Sequence, residues 1–396
     1  MKTPPLFILL LLVSFASISA VLFTPALPEI THKLGITISD AQLTMSLFLI
    51  GYALGNLPYA PLSNRFGRKP ALFFGISLAI FASLLILIAG AFQLFWLFVL
   101  ARFLTALGSA SGLKVVFTMI GDLYQHEKAT KRISYCMLAF SIGPGLAIAL
   151  GGFLTKQFGW ESCFYFLILY SIFLLILTFY LPETCKELDL DALQIKKIAT
   201  GYLTKLKNKK LVTCALLIGC GTAFAYLFAS LAPFIGIKLI GLSPDAYGLL
   251  YFIPSSGMII GALLSLNLAG KANPFFLIRI GILIALLSAT VMFFLFLFNI
   301  ITPLSLFLPM PFIFIGLSFI FANASSLALT HAKNKSNASA MMHFINIGMS
   351  VLTLFFAELF PFHQAFILPL FFIGIAVILL FLRRRLVHLL VPTESN

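Results

Sequence analysis

Runs of about 20 apolar residues recur from one end of this 396-residue chain to the other. Each run is long enough to cross about 30 Å of hydrocarbon as a helix. Charged residues make up only 10% of the chain, whereas soluble domains carry about 25%. The alternating runs typical of outer-membrane barrel strands do not occur. Because only helices and closed barrels satisfy backbone hydrogen bonds in lipid, the sequence predicts an all-α membrane protein.

The apolar runs predict twelve transmembrane helices, called spans 1 to 12, in two bundles of six. Spans 1 to 6 are predicted at residues 6–26, 41–62, 71–92, 94–121, 133–154 and 163–181. Spans 7 to 12 are predicted at residues 212–235, 246–268, 275–298, 303–329, 341–360 and 366–382.

The longest polar stretch, residues 182–210, divides the chain into an N-terminal bundle (1–181), a linker and a C-terminal bundle (211–396). Charges interleave with five apolar residues of this linker: Leu188, Leu190, Leu193, Ile195 and Ile198. This pattern suggests a short amphipathic helix on the cytoplasmic surface. We interpret its role as a tether between the bundles.

Basic residues fix the predicted orientation. With a cytoplasmic N-terminus, only Lys33, Lys156 and Lys238 of the 26 Lys and Arg residues fall outside, and Arg102 and Lys114 lie within spans. The others lie in or beside cytoplasmic segments, as the positive-inside rule requires. An even number of spans puts both termini on that side of the bacterial inner membrane. The net charge of +14 therefore reflects topology, and a nucleic-acid partner is not predicted because no soluble domain would bind it.

The N-terminus imitates a secretory signal peptide. Lys2 precedes a Leu-rich run, and the small residues Ser17, Ser19 and Ala20 follow it. The apolar run continues to Phe23, however, and cleavage would leave an odd number of spans. We therefore interpret this segment as span 1.

No motif of a soluble catalytic or nucleotide-binding site occurs in the chain. HExxH, GxSxG and Walker A patterns are absent, and carboxylates are not paired within spans. The five cysteines show no metal-ligand spacing and predict no disulfide. The sequence predicts a secondary transporter without a cofactor or metal, not an enzyme. A membrane-embedded enzyme or sensor is the alternative, and it would need a cluster of polar residues at one interface.

Ionisable residues inside spans are candidates for substrate binding or coupling, because burying one costs at least about 2.5 kcal/mol at the helix centre. Arg102 lies deep in span 4, beyond easy reach of the headgroups. Lys114 lies nearer the cytoplasm, where a contact with headgroups or water is equally plausible. Glu358 near the outer end of span 11 is either functional or interfacial. His343 at the start of span 11 either handles protons or is solvated.

Small residues predict close helix packing at several places. Gly51-Gly55, Gly108-Gly112 and Gly257-Gly261 each form a GxxxG pattern, which lets helices approach closely. Gly51-Gly55 and Gly257-Gly261 lie in the second span of each bundle and form a weak sign of an internal repeat. In span 5, Pro144 stands in a glycine-rich stretch that ends in Gly151 and Gly152. This composition favours a bendable, closely packed helix.

The stretch GNLPYAPLSNRFGRKP (residues 55–70) resembles the loop between helices two and three of the major facilitator superfamily. The closest resemblance is to its twelve-helix drug/proton antiporter branch of bicyclomycin-resistance (Bcr/CflA) type. PALPEI (25–30), ARFLTALG (101–108), GPGLAIALGG (143–152), FGW (158–160) and LPET (181–184) follow in the family's order. The resemblance covers about residues 25–184 well and the second half only in pieces.

The resemblance implies a cytoplasmic gate in this loop. In the family, its arginines bind carboxylates and helix ends of neighbouring helices. Carried over to this chain, Arg65 or Arg68 would pair with Asp122, and Lys69 would belong to the same gate. Alternating access would have to break that pair.

This chain departs from the family pattern at several positions. Asn64 replaces an acidic loop residue, Thr105 replaces a glutamine, and Val21 replaces an aspartate that is a candidate proton or cation site in relatives. Arg102 and Lys114 are then the deep charges, which favours anionic or zwitterionic ligands if both face the cavity. Tyr226 and Phe228 of span 7 would supply an apolar wall.

The predicted function is proton-coupled efflux of a drug-like or metabolite compound, by rocking of the two bundles about a midplane site. Coupling would pass through Glu358, His343 or the substrate itself, or would be absent. An uptake symporter or facilitator for a small anionic or zwitterionic nutrient fits the same residues. The predicted partners are therefore a small-molecule substrate, protons and the lipid bilayer.

Overall fold

A computed structural model describes residues 4–124, 126–185, 187–194, 206–268, 270–330, 335–360 and 365–390 of the chain. Within these ranges the chain is helical apart from turns and short connections, and it forms no strand. Eleven helices are long and apolar enough to cross a membrane, and a bent helix pair raises the number to as many as twelve. The predicted all-α membrane fold is confirmed.

The described residues of the first half form eight α-helices. They are α1 (Leu6–Val21), α2 (Leu27–Leu34), α3 (Ile38–Gly55), α4 (Tyr59–Phe66), α5 (Arg68–Ala91), α6 (Phe95–Leu123), α7 (His126–Phe158) and α8 (Glu161–Phe179). A short 3-10 turn, Thr24–Ala26, joins α1 to α2. Span 1 therefore consists of α1 and α2, span 2 consists of α3 and α4, and spans 3 to 6 are α5 to α8.

The second half contains another eight α-helices among its described residues. They are α9 (Lys209–Pro233), α10 (Pro244–Leu250), α11 (Phe252–Leu268), α12 (Pro274–Leu297), α13 (Pro303–Phe307), α14 (Met310–Thr330), α15 (Lys335–Glu358) and α16 (Ile367–Leu390). A π-helical turn, Phe234–Leu239, extends α9. Span 7 is α9, span 8 is α10 with α11, span 9 is α12, span 10 is α13 with α14, and spans 11 and 12 are α15 and α16.

Spans 1 and 2 are broken at prolines. Pro25 and Pro28 stand in the first turns of the 3-10 turn and of α2, where a missing N–H is tolerated. Span 1 thus continues to Leu34 and does not end at residue 26 as predicted. In span 2, Pro58 has no N–H to donate to the preceding turn, and α3 and α4 meet at an angle of 43°.

Helix packing in the first half repeats in the second. Span 4 packs against spans 1, 2 and 3, and span 10 packs against spans 7, 8 and 9. The two glycine pairs of the predicted repeat occupy equivalent places in this packing. Gly51 and Gly55 face the backbone of span 4, and Gly257 and Gly261 face the backbone of span 10. A Cβ at any of these glycines would collide with the neighbouring helix, so the pattern sets the distance between the axes.

The chain divides into two compact units. Unit 1 comprises Met1–Ala199 and Ser243–Leu249, and unit 2 comprises Thr200–Leu242 and Leu250–Asn396. Unit 1 thus includes a short segment that the predicted bundle boundaries assign to the C-terminal bundle. In the predicted linker, residues 187–194 form turns and not the expected helix. The amide of Asp189 there donates to the carbonyl of Asn64 at 3.0 Å. The remaining residues of the proposed amphipathic pattern, Ile195 and Ile198, lie outside the described ranges.

Candidate functional site

The loop between spans 2 and 3 places Arg68 at the first position of α5. Gly67 precedes it with φ of +100°, a backbone conformation that favours glycine. The Arg68 side chain is only 8% exposed. Its Nε donates to Asp122 Oδ2 at 2.9 Å, its Nη2 to Asp122 Oδ1 at 3.2 Å, and its Nη1 to the carbonyl of Ser63 at 2.8 Å. This two-point ion pair joins the starting end of span 3 to the final turn of span 4.

The residues after span 6 complete the same cluster. Thr184 Oγ1 donates to Asp122 Oδ2 at 2.8 Å. The Glu183 carboxylate accepts from the backbone amides of Arg68 and Lys69, each at 3.0 Å, and from those of Thr184 and Cys185, each at 2.8 Å. It thereby satisfies two free N–H groups at the first turn of α5. Arg68, Asp122, Glu183 and Thr184 are called the latch cluster below.

The structure distinguishes between the basic residues of the predicted gate. Arg68, not Arg65, pairs with Asp122. Arg65 Nη1 is buried and makes no hydrogen bond to a described residue. Lys69 Nζ donates to the carbonyl of Phe179 at 3.0 Å, at the end of span 6. Sequence reasoning missed Glu183 and Thr184, although a carboxylate directly after an apolar span was a usable signal.

Arg102 lies inside unit 1 with no exposed surface. Its Nη1 donates to the carbonyl of Ser19 at 2.9 Å, and its Nη2 to the carbonyl of Ala20 at 3.3 Å. The guanidinium carbon lies 4.0 Å from the ring centre of Phe23 and 4.3 Å from that of Phe48. α1 ends at Val21, so these two carbonyls belong to its last turn, where helical N–H partners are missing. Arg102 therefore caps the break in span 1 and is enclosed by aromatic rings.

Arg102 and Lys114 do not share a site. Both lie on α6, but twelve residues of helix separate them by about 18 Å along the axis. Lys114 is half-buried, and within the described part of the chain neither residue forms an ion pair. The two cations therefore do not form one anion-binding centre in this conformation.

The predicted coupling residues of span 11 are also far apart. His343 lies near the start of α15 and Glu358 is its last residue, which puts them about 22 Å apart along the axis. Both side chains are half-buried and both interact with other residues. At this separation the two side chains cannot pass a proton directly to each other.

An aromatic cluster in unit 2 surrounds the predicted apolar wall. The ring of Phe228 lies 5.6 Å from that of Tyr251 and 6.1 Å from that of Phe307. Tyr226 is half-buried on the same helix, α9. Phe228, Tyr251 and Phe307 are all buried, so these rings pack against one another, and Phe228 does not line an open cavity in this conformation as the predicted wall would require.

The helix-five motif packs against neighbouring backbone. Gly151 faces the carbonyl of Leu22, directly at the break in span 1, and Gly152 faces the carbonyl of Pro244. Pro144 lies inside α7, where it removes one helical hydrogen bond.

An ion pair that the sequence did not predict lies near the C-terminal end of α7, where Lys156 Nζ contacts Asp245 Oδ2 at 2.8 Å. Both of these residues belong to unit 1.

The described residues hold no group of three or more His, Cys, Asp or Glu arranged to bind a metal ion. The five cysteines are free thiols, and all but Cys185 are buried.

The model of the Major Facilitator Superfamily matches residues 9–352. An uncharacterized transporter of Rickettsia bellii is 31% identical over 276 residues, which are 68% of this chain and 66% of that protein. The bicyclomycin resistance protein homolog of Haemophilus influenzae is 27% identical over 67% of each chain. Multidrug resistance protein D of Escherichia coli is 24% identical over 65% of this chain and 64% of its own. These matches cover about two thirds of each relative's length, and they confirm the predicted resemblance to the bicyclomycin-resistance branch.

Solved structures show the same fold. A crystal structure of a D-xylose-proton symporter superposes with a TM-score of 0.78, covering 95% of this chain and 96% of the other at 16% identity. The xylose transporter XylE from E. coli, in a partially occluded inward-open conformation, gives 0.74 at 15% identity, covering 99% and 98%. At such low identity these similarities concern the fold alone.

Proposed function

Because the chain belongs to the major facilitator superfamily and is a transporter, we propose that it exports a drug-like or metabolite compound from the bacterial cytoplasm in exchange for protons. The observation that carries this proposal is the similarity to two proteins named for drug resistance, along about two thirds of this chain. Transport would proceed by rocking of the two predicted six-helix bundles, with both termini on the cytoplasmic side.

The latch cluster is the proposed gate. It joins the ends of spans 3, 4 and 6 within unit 1 through one ion pair and one carboxylate cap. An arginine and an aspartate that neutralise each other can separate only if water or another charge replaces the partner. Opening the Arg68–Asp122 pair would therefore be a discrete step that conformational change can drive.

Lys114 is the better candidate for an anionic part of the substrate. Arg102 has two of its donors bound to carbonyls, and its guanidinium lies near two aromatic rings. Binding substrate would require Arg102 to leave these partners and to expose the end of α1. Lys114 has no comparable partner among the described residues, and Tyr226 would contribute apolar contact.

Proton coupling would use Glu358, His343 or the substrate, since Val21 leaves span 1 without a carboxylate at the family's candidate site. An uptake symporter or facilitator remains the second candidate for the same reason. Without a carboxylate at position 21, span 1 lacks one candidate proton site, and the same helical bundle could then serve uptake as well as export.

Everted membrane vesicles with an acidic lumen test the direction of transport and the coupling. We expect a cationic, zwitterionic or anionic compound from a test panel to accumulate in the lumen. Its addition should raise lumenal pH, because each entering molecule is exchanged for a leaving proton. A protonophore should abolish both signals, and membranes lacking the protein are the control.

Other outcomes of this experiment identify the competing functions. Accumulation only in right-side-out vesicles with an acidic exterior would overturn export in favour of proton-coupled uptake. Flux that follows the substrate gradient and ignores pH would overturn coupling and identify a facilitator.

A further inference from the structure

A cavity of about 460 Å³ opens in unit 1 beside the start of α7. It is lined by Leu6 at the start of α1, Tyr124 just after α6, and Lys128, Lys131, Arg132 and Tyr135 on the first turns of α7. Its volume lies in the range of about 300–1,000 Å³ that is usual for small-molecule sites. The latch cluster contributes none of these residues, so the cavity is a separate site.

The lining is built of hydrogen-bond donors. Of the six lining residues that the structure describes, three are cations and none is a carboxylate. The guanidinium of Arg132 lies 4.1 Å from the ring centre of Tyr124. Arg132 Nη1 and Tyr124 Oη are buried and donate no hydrogen bond to any described residue. Leaving buried donors unpaired is costly, which favours a ligand with several acceptor oxygens and negative charge.

The position of the cavity indicates where such a ligand would come from. Leu6 begins one candidate membrane span, Leu123 ends another and Lys131 begins a third. The cavity therefore lies at the boundary between hydrocarbon and water, where tyrosines and basic residues meet lipid headgroups. Asp122, which lies two residues before Tyr124, is already bound by Arg68 and Thr184.

We propose that this cavity binds the phosphate group of an anionic phospholipid headgroup. Lys128 and Lys131 are exposed and would attract and contact the anion, while Arg132 and Tyr124 would donate from the buried side. Leu6 offers an apolar contact at the edge of the bilayer. A soluble phosphate would satisfy the same donors, and the experiment separates the two sources.

The test is a titration of the purified full-length protein in micelles, with the melting temperature as readout. The probes are phosphatidylglycerol, phosphatidylcholine with the same acyl chains, and inorganic phosphate. The main variant is Lys128→Gln/Lys131→Gln. The matched control is Lys209→Gln/Lys210→Gln, which removes two exposed lysines at the start of α9, on the same side of the membrane by span count.

Phosphatidylglycerol should stabilise the native protein and the control variant more than phosphatidylcholine does. In Lys128→Gln/Lys131→Gln the half-saturating concentration of phosphatidylglycerol should rise roughly 10- to 30-fold. Tyr124→Phe, which removes only the hydroxyl, should weaken binding by a smaller factor. Because these three positions are changed without altering an apolar core residue, the variants should fold.

Stabilisation by inorganic phosphate that disappears in the same double variant would confirm the anion site and assign it to a soluble ligand. Equal stabilisation by the two lipids would overturn the proposal. An unchanged phosphatidylglycerol response in both Lys128→Gln/Lys131→Gln and Tyr124→Phe, without any effect of phosphate, would also overturn it.

Discussion

Two arginines of unit 1 have different kinds of partner: one is paired with a carboxylate and the other with backbone carbonyls. Arg68 lies at the end of a helix and shares its charge with Asp122, while Glu183 caps the adjacent amides. Arg102 lies within the bundle and has no carboxylate among its described partners, only two carbonyls and two aromatic rings. The first arrangement can open at the cost of an ion pair. The second holds a broken helix end, for whose Ser19 and Ala20 carbonyls the described residues supply no other side-chain donor, and this favours a structural role for Arg102.

The largest effect is expected for Arg102→Met, which removes the cap and the charge but keeps much of the volume. Two carbonyls lose charged donors, and relief of charge burial offsets part of that loss, so stability should fall by about 2–4 kcal/mol. Denaturant titration in micelles measures this. The control is Arg384→Met, an exposed arginine on α16, which should change stability little. If the two variants prove equally stable, Arg102 is not a helix cap.

Asp122→Asn should be next in size. It leaves the Arg68 side chain, which is 8% exposed, without its carboxylate partner, while the Asp122 side chain itself is 23% exposed. A loss of about 1–3 kcal/mol is expected, below that of a fully buried pair. A double-mutant cycle with Arg68→Gln measures the coupling, and strictly additive losses would contradict the pair. Unchanged transport in Asp122→Asn would remove the latch cluster from the gate.

Gly151→Ala tests whether the break capped by Arg102 tolerates displacement. The added methyl collides with the backbone of Leu22, so stability should fall by about 1–2 kcal/mol despite the better helix propensity of alanine. In the matched change Gly121→Ala the methyl meets no atom within 4 Å, and stability should stay level or rise. Thermal melts of both variants compare them directly. If Gly151→Ala left the stability unchanged, span 1 would be able to move away from the added methyl group.

The smallest effect is expected for Lys156→Gln. Its ion pair with Asp245 joins side chains that are 45% and 28% exposed. Solvent screens such pairs, so the change should cost at most about 0.5 kcal/mol, and high salt should abolish the difference. A loss of stability as large as that of Asp122→Asn would mean that solvent exposure does not determine how strongly these two ion pairs stabilise the protein.

Much of the fold follows from the sequence because lipid permits so few alternatives. Spans 3 and 9 begin and end within a few residues of their predicted limits, since apolar length alone defines them. The end of span 1 was wrong because Pro25 and Pro28 fit the first turn of a new helix as well as they end an old one. The amphipathic helix predicted for the linker does not form over residues 187–194. These residues form turns beside the latch cluster, where the amide of Asp189 donates to the carbonyl of Asn64.

The candidate sites were less predictable than the fold. The pairing of an arginine with Asp122 came from the family resemblance, but the choice of Arg68 over Arg65 depends on the direction in which α5 begins. Glu183 reaches the same place from more than 100 residues away in the chain, and no local pattern reports that approach. Grouping Arg102 with Lys114 was reasonable from their shared span, yet helical rise separates them.

The number of membrane crossings, the approximate position of each span and the spans that carry charge all follow from the amino-acid sequence. These properties depend on the length and polarity of each segment, because each one must be long and apolar enough to cross the hydrocarbon as a helix. The partner of each charged side chain, by contrast, is known only from the packing of the helices. Whether an arginine contacts a carboxylate, a carbonyl at a helix end or a basic cavity depends on which helix ends pack together, and packing distances are a property of the whole bundle.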